Sequence, residues 1–427
     1  MKHAIPVEDL GPLATEMADA VTKCVHCGFC LPTCPTYSVL HEEMDSPRGR
    51  IILMKSVLEG QIELEEAIEY IDNCLGCLGC VSVCPSGVPY GELLTPFRFY
   101  AEGNRQRTFE SRMTRWITKE TLPYPDRFRF AAKAGNLVKP LSSLAPTGIQ
   151  SMLDMIPSNI PSTKPLPSVF PAQGPPRARV ALLTSCVQQV LAQEINWATL
   201  RVLAKNRVEV IIPQSQGCCG ALALHTGDYQ EAKAFAENNI KTFPSDVDAI
   251  LTNTAGCGSS MHEYRHLFKG SEYENQAAEF SDRVLDVSVF LTNLGITPPP
   301  DSNGSIKVAY HDACHLSHAQ GISKEPRDLL QSIPGVTLIP IPEGDLCCGS
   351  AGSYNLEHPK IAEKLGNRKV ENILSVRPDM VVAGNIGCLV QLRMHLNQLN
   401  NTAGGVVEIP NVMHTVELLD YAYRQVL

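Results

Sequence analysis

The sequence lacks three features that would place it in common functional classes. It has no run of about 18 apolar residues, so we predict no transmembrane helix. It has no excess of basic charge, because 36 Lys and Arg against 45 Asp and Glu give a net charge of −9, and we expect no binding to nucleic acid. Its N-terminus lacks the apolar core of a secretory signal, since Glu8 and Asp9 interrupt it, so we expect a cytoplasmic protein.

The composition is otherwise that of an ordinary globular chain. Its 427 residues suffice for about two to four domains. Hydrophobic residues make up 44% and charged residues 19%, which argues against global disorder and against a coiled coil. The unusual feature is a content of 16 cysteines, because a reducing cytosol does not normally use cysteine for disulfides.

Half of the cysteines form one spacing, C-x2-C-x2-C-x3-C-P, that occurs twice. Zinc sites usually take paired C-x2-C steps separated by longer loops, so this spacing favours [4Fe–4S] clusters over zinc. In two-cluster ferredoxins the fourth cysteine of each run binds the other cluster. We therefore predict two [4Fe–4S] clusters, the first held by Cys24, Cys27, Cys30 and Cys84, and the second by Cys74, Cys77, Cys80 and Cys34.

The segment between the two cysteine runs predicts helices rather than strands. Residues 51–58 and 62–71 carry apolar side chains at helical spacing, with glutamates on the solvent side of the second segment. This arrangement resembles the α-helical ferredoxin module. We therefore expect an α-helical dicluster ferredoxin domain over residues 1–100.

A basic stretch and a proline-rich stretch follow over residues 101–177. Residues 101–139 carry nine Lys and Arg against four Asp and Glu, with apolar residues between them. Two interpretations stay open: an amphipathic surface that lies on anionic lipid, or a helical arm that packs on acidic residues of the chain itself or of a partner. Nine prolines in residues 140–176 predict a linker without a sustained helix.

The second half contains an internal duplication. Each repeat has a single cysteine, a Cys-Cys-Gly triplet and a last cysteine, and corresponding cysteines lie 128 to 131 residues apart. Strands alternate with helices in both repeats, so we predict duplicated α/β domains with mostly parallel sheets over residues 178–300 and 301–427. Each repeat should gather its four cysteines at one sheet edge. These are Cys186, Cys218, Cys219 and Cys257 in the first repeat, and Cys314, Cys347, Cys348 and Cys388 in the second.

These cysteines are candidates for a further iron–sulfur cluster or redox site. His225, His311 and His315 are candidates for additional ligands, and the last two flank Cys314 without a counterpart in the first repeat. The alternative is that the thiols are buried and only fill space. We expect the second repeat to be the better metal site of the two.

The duplication resembles the CCG (cysteine-rich) domain pair found in heterodisulfide reductase and in the iron–sulfur subunits of several flavin dehydrogenases. In heterodisulfide reductase the cysteine set ends in C-x2-C and performs disulfide chemistry. Here neither Cys257 nor Cys388 is followed by that second cysteine. This difference weighs against a thiol–disulfide redox subunit, which stays as the alternative function.

Over nearly its whole length the sequence resembles the iron–sulfur subunit of the glycolate oxidase complex. Residues 24–30, 34–37, 47–50, 346–352 and 385–388 carry the resemblance. It implies a membrane-associated electron-transfer subunit without catalytic residues of its own, peripheral on the cytoplasmic face of the inner membrane. A partner subunit with FAD would oxidise the 2-hydroxy acid, glycolate to glyoxylate, and a membrane quinone or another respiratory acceptor would take the electrons. The iron–sulfur subunits of anaerobic glycerol-3-phosphate and lactate dehydrogenases share the architecture and stay as alternatives.

The residues support this division of labour independently. No G-x-G-x-x-G follows a predicted strand, and no flavin-binding pattern is recognisable. Iron–sulfur clusters move electrons singly, whereas a flavin accepts two electrons and releases them one at a time. We therefore expect a flavoprotein partner.

Overall fold

The computed structural model describes residues 4–8, 10, 13–144, 147–162, 164–301, 304–402, 404 and 408–425. Of residues 141, 143, 144 and 147 only the backbone is described. Pro146, which belongs to the expected linker, and Val426 and Leu427, which belong to the second predicted α/β domain, lie outside the described residues.

Short helices surround the two N-terminal cysteine runs. They are, in chain order, α1 (Ala14–Thr22), α2 (Pro35–Leu40), a 3₁₀ turn (Glu43–Asp45), α3 (Pro47–Leu58), α4 (Leu64–Asp72), α5 (Gly79–Ser82) and α6 (Tyr90–Asn104). The Ser46 hydroxyl accepts a hydrogen bond of 3.0 Å from the Gly49 amide and so caps the start of α3. Met54, Ile71 and Phe97 pack into one core between the helices. The predicted α-helical ferredoxin domain is confirmed.

Three further helices form an arm that packs on the C-terminal half of the chain. They are α7 (Phe109–Thr121), α8 (Pro125–Val138) and α9 (Thr147–Met155), with a 3₁₀ segment (Lys139–Leu144) before α9. The prediction that prolines exclude a sustained helix from residues 140–176 is wrong for α9. The stretch between Pro146 and Pro157 contains no proline, and Ile149 and Leu153 lie one turn apart.

Five of the nine basic residues in residues 101–139 form ion pairs with acidic residues of the same chain. The ion pairs include Arg105–Asp72 (2.7 Å), Arg115–Glu357 (2.7 Å) and Lys119–Asp228 (2.6 Å). Two interpretations of residues 101–139 were open, a lipid-binding surface and a helical arm that packs on acidic residues. For these side chains the second interpretation holds, with acidic residues of the chain itself. Apolar side chains of α7 and α8 remain exposed, among them Phe109, Trp116, Phe130 and Leu137.

The first α/β unit has a five-stranded sheet of order β1-β3-β2-β4-β5, parallel except for β1. Its strands are β1 (Val169–Phe170), β2 (Ala178–Leu183), β3 (Val208–Ile211), β4 (Ala249–Thr252) and β5 (Val284–Asp286). Its helices are α10 (Gln188–Leu191), α11 (Glu194–Lys205), α12 (Ala221–Thr226), α13 (Tyr229–Thr242), α14 (Ala255–His262), α15 (Tyr264–Leu267), α16 (Glu274–Asp282) and α17 (Val287–Leu294). Val180, Leu182 and Leu183 are buried because helices cover both faces of the sheet.

The second unit has a four-stranded parallel sheet of order β7-β6-β8-β9. Its strands are β6 (Ile306–His311), β7 (Val336–Ile339), β8 (Met380–Ala383) and β9 (Asn411–His414). Its helices are α18 (Cys314–Ser317), α19 (Lys324–Gln331), α20 (Tyr354–Glu357), α21 (Pro359–Ser375), α22 (Ile386–Thr402) and α23 (Thr415–Arg424). One apolar core runs through both units, including Val210 and Leu251 of the first and Val308 and Val382 of the second. The predicted duplicated α/β fold is confirmed.

Candidate metal centres

The first cysteine run lies around a small cavity close to the surface. Cys24, Cys27 and Cys30 line this cavity of about 30 Å³ together with Cys84 and Cys80 of the second run. The Val88 amide donates a hydrogen bond of 3.4 Å to the Cys84 sulfur. Cys84, the fourth cysteine of the second run, therefore lies beside the first three cysteines of the first run. A cluster that takes its ligands from both runs would need this arrangement.

The second N-terminal site lies deeper in the protein. Cys34 and Cys74 are buried, and desolvation raises the pKa values of the Cys77 and Cys80 thiols well above their ordinary value. Since metal ligands are thiolates, binding must release protons from these thiols. These four cysteines are the set predicted for the second cluster.

Hydrogen-bond donors surround the buried sulfurs. The Gly76 amide donates to the Cys74 sulfur at 3.4 Å, and the Tyr90 hydroxyl lies 3.8 Å from it. The buried Arg50 guanidinium lies 3.8 Å from the Cys34 sulfur. These donors fit an anionic sulfur cluster, because N–H groups and positive charge stabilise it.

The eight cysteines of the two repeats face one common cavity. Each repeat gathers its four cysteines at the carboxyl edge of its sheet, as expected, and the two edges face each other. The cavity measures about 330 Å³, and all eight cysteines line it. Side chains of the arm, including Phe128, Met152 and Leu153, form another wall. The sequence predicted neither that both repeats line one cavity nor that the arm covers it, because the cysteine spacing describes each repeat by itself.

Within each repeat the sulfurs lie close together. The Cys186 and Cys218 sulfurs are 3.5 Å apart, and the Cys314 and Cys347 sulfurs are 3.9 Å apart. Two thiolates on one tetrahedral metal lie about 3.8 Å apart, given metal–sulfur bonds of about 2.3 Å. The donor sets therefore fit metal–thiolate sites without a large rearrangement.

The second repeat adds a buried histidine to its thiols. His311 is the last residue of β6, and a ring nitrogen lies within 4.8 Å of the Cys348 and Cys388 sulfurs. The corresponding last residue of β2 in the first repeat is Leu183. Hydrogen bonds within the cysteine group, from Cys347 and then from Cys388, hold the pKa of Cys348 well below its ordinary value.

His315 and Asp312 are engaged elsewhere. His315 Nδ1 lies 2.6 Å from the Ser259 hydroxyl, and its Nε2 lies 3.1 Å from the Gly76 carbonyl oxygen. Its ring stands 5.0 Å from that of His225, which lines the common cavity. Asp312 pairs with Arg327 at 2.6 Å. Of the predicted histidine ligands, His311 is thus the one that the structure places against two thiols.

The deeper N-terminal site adjoins the second repeat directly. Cys77 packs against a buried group that includes Leu75, Cys314 and Cys347. The Tyr354 hydroxyl donates a hydrogen bond of 2.9 Å to the Asn73 carbonyl. Sequence reasoning missed this contact, because no local pattern links residues more than 200 positions apart.

Comparison with known proteins agrees with this architecture. A family model described as a 4Fe-4S dicluster domain matches residues 20–88, and one described as a cysteine-rich domain, CCG, matches residues 180–262 and 308–393. The chain is 35% identical over 395 residues to the probable glycolate oxidase iron–sulfur subunit of Bacillus subtilis, covering 88% of this chain and 89% of that protein. It is 34% identical over 414 residues to the glycolate oxidase iron–sulfur subunit of Escherichia coli, covering 96% of both.

The chain belongs to the family of glycolate oxidase iron–sulfur subunits. A more distant relative, lactate utilization protein A of Geobacillus thermodenitrificans, is 27% identical over 244 residues, which is 57% of this chain and 99% of that protein. The predicted resemblance is confirmed, and the dicluster and cysteine-rich domains support iron–sulfur clusters as cofactors. Among the described residues, no helix combines the length and the apolar character needed to span a bilayer.

Proposed function

We propose that this chain carries electrons within a complex that oxidises glycolate to glyoxylate. A partner subunit with FAD oxidises the substrate, and the chain passes the electrons singly to a membrane quinone or another respiratory acceptor. The observation that carries the proposal is the continuity of the cysteine sites. They extend from the exposed Cys27 through the partly buried Cys77 to the buried Cys314 in the second repeat.

The ligand sets of the two N-terminal clusters are part of the proposal. Cys24, Cys27, Cys30 and Cys84 hold the first cluster, and Cys74, Cys77, Cys80 and Cys34 hold the second. The clusters supply one-electron oxidation and reduction when bound. The chain's own part is to hold them and to stabilise their negative charge through backbone amides and Arg50, which favours the reduced state.

Electrons enter at the first N-terminal site. Its loop is the more exposed of the two, since Val25 and Phe29 on either side of Cys27 each expose 67% of their surface. An electron donor must approach the cluster closely, and exposed apolar side chains beside the ligands suit a protein contact. We assign this loop to the flavin-containing partner.

Attachment to the membrane is assigned to the arm. Arg115, Lys119 and Arg127 of the arm are used in ion pairs within the chain, so its exposed apolar side chains are the better candidates for the contact. Phe130 and Leu137 expose 77% and 84% of their surface on α8. Insertion of such side chains at the interface gives peripheral attachment without a spanning helix, here on the cytoplasmic face of the inner membrane.

Purification of the tagged full-length chain with its native partners tests the function. We expect flavin absorbance in the purified complex, bleaching of that absorbance by glycolate, and reduction of a quinone analogue that depends on glycolate. DL-lactate and glycerol 3-phosphate serve as competing substrates in the same assay. The proposal fails if either of them supports a higher kcat/KM than glycolate, or if no flavin accompanies the chain.

A further inference from the structure

His311 is a buried histidine without an evident structural purpose. It exposes 1% of its surface, and within the described part of the chain neither of its ring nitrogens has a hydrogen-bond partner. A buried polar group without a partner costs free energy, and such groups often accompany an ion that satisfies them. The polar atoms grouped with its ring are the sulfurs of Cys348 and Cys388.

The number of possible ligand atoms around His311 is larger than the four that a tetrahedral metal ion binds. The second repeat offers four thiols, from Cys314, Cys347, Cys348 and Cys388, and the His311 imidazole is a fifth donor. Structural zinc sites are almost always four-coordinate. Sulfur-rich sets with imidazole also hold iron–sulfur clusters, in which histidine can replace cysteine as a ligand.

The first repeat provides an internal comparison. Its β2 ends at Leu183, which is fully buried at the position that corresponds to His311. There the Ser185 hydroxyl donates a hydrogen bond of 3.4 Å to the Cys257 sulfur. Each repeat thus has four thiols of its own, but only the second repeat has an imidazole at this position.

We propose that the second repeat holds an iron–sulfur centre in which His311 is a ligand together with the cysteines of that repeat. This inference goes beyond the proposed electron-transfer function and does not depend on glycolate as the substrate. The centre lies next to the deeper N-terminal site, because Cys77 packs against Cys314 and Cys347. A neutral imidazole in place of a thiolate leaves the centre less negative, which raises its reduction potential. The centre is therefore suited to accept electrons from the ferredoxin clusters.

The test compares two histidines in the same sheet. His311 and His414 both pair with Ala383 of β8, both end their strands, and each exposes 1% of its surface. His414 Nδ1 accepts a hydrogen bond of 3.1 Å from the Val416 amide and caps α23. The matched variants are His311→Asn and His414→Asn, made in the full-length chain and purified with its complex under anaerobic conditions.

Iron and acid-labile sulfide per chain are measured together with pulsed electron paramagnetic resonance of the reduced protein. We expect a strong ¹⁴N coupling from a directly bound imidazole in the unmodified chain. It should disappear in His311→Asn, with loss of up to about four iron atoms per chain, and persist in His414→Asn. The ferredoxin signals should remain in both variants and so show that the fold is intact.

His311→Cys provides a second variant that restores a soft ligand. It should retain the iron, lose the ¹⁴N coupling and lower the reduction potential of the centre, because a thiolate is anionic. The proposal is overturned if the unmodified chain lacks the coupling, if His311→Asn keeps both iron and coupling, or if the site holds zinc. Equal losses in His311→Asn and His414→Asn would overturn it as well.

Discussion

Arg50 is a single residue that provides positive charge for the anionic sulfur ligands of the N-terminal region. Its guanidinium donates to the Tyr70 carbonyl at 2.6 Å and to the Asp45 carboxylate at 2.9 Å. A third nitrogen lies against the Cys34 sulfur. A buried guanidinium is costly unless it is paired, and here two of its contacts provide that pairing. The contact with Cys34 then places positive charge where a bound thiolate would need it.

Cys77→Ser should remove the second N-terminal cluster. A hydroxyl is a hard, weak ligand for iron, so we expect about four iron atoms fewer per chain and loss of glycolate-dependent quinone reduction. Tyr90→Phe is the matched change, because it removes a donor near the Cys74 sulfur but no ligand. It should keep the iron and lower only the reduction potential. Unchanged iron and turnover in Cys77→Ser would show that Cys77 is no ligand.

The repeats permit the same substitution at corresponding positions. We expect Cys348→Ala to lose more iron than Cys219→Ala, because Cys348 lies beside His311 and Cys219 has no such neighbour in its repeat. Iron analysis and electron paramagnetic resonance measure the difference. Equal losses would contradict the asymmetry, and unchanged iron in both variants would make the ferredoxin domain the redox part of the chain. In that case alanine should cost only the modest stability of a small buried side chain.

Asp286 makes the stability of the first α/β unit dependent on pH. Burial raises its pKa to about 6, although its carboxylate caps α17 by accepting from the Ser288 amide at 2.8 Å. The folded state therefore binds the proton more tightly than the unfolded state, whose carboxyl has a pKa of about 3.9. Stability must fall as the pH rises from about 4 to 6, since the charged form is disfavoured only in the folded protein.

Asp286→Asn keeps an acceptor for the cap and removes the charge. We expect a higher thermal unfolding midpoint than in the unmodified chain at pH 7.5, by a few degrees, with the difference shrinking toward pH 5. Asp228→Asn is the control, because Asp228 also caps a helix, α13, but pairs with Lys119 at the surface. It should give no such gain. A gain from Asp286→Asn that is the same at both pH values would contradict the assignment.

The arm shows at the scale of secondary structure what composition predicts and what it leaves open. The count of basic residues indicated an amphipathic segment, but the partners of Arg115 and Lys119 in the two repeats lie more than 100 residues away in sequence and could not be inferred. The proline count did not predict α9, because it was taken over all of residues 140–176. The part between Pro146 and Pro157 has no proline and is long enough for a short helix. Strands β2, β3 and β4 of the first repeat and β6, β7 and β8 of the second were predictable, since buried parallel strands are short apolar runs in the sequence, whereas β1, β5 and β9 were not predicted.

The proposed membrane contact can be separated from the ion pairs of the arm. Phe130→Ser with Leu137→Ser should reduce co-sedimentation of the complex with vesicles of anionic phospholipid at least about fivefold, because the interface loses two large apolar side chains. Lys119→Gln breaks a surface ion pair and should leave co-sedimentation unchanged. Iron content should stay constant in both. If the double variant still sediments with the vesicles, the arm is only a structural support.

At the scale of the whole molecule, local spacing predicted the ligand sets of the ferredoxin sites but not the position of these sites in the protein. C-x2-C-x2-C places three ligands within one loop, so Cys24, Cys27 and Cys30 were predictable as a set. Their neighbour Cys84 followed from the known crossing of ferredoxin ligands. The contact of Cys77 with Cys314 and the shared cavity of the repeats depend on tertiary packing, which leaves no periodic trace in the sequence.

The wall that the arm contributes to the common cavity sets an order for maturation. The ribosome completes α7, α8 and α9 before either repeat, so the arm must wait for the surfaces on which it packs. The proposed iron–sulfur centre at Cys314 and Cys348 would occupy the space that Phe128 and Leu153 line. We therefore expect the arm to pack against the repeats after this centre is inserted, so that a chain without iron would close over an empty cavity.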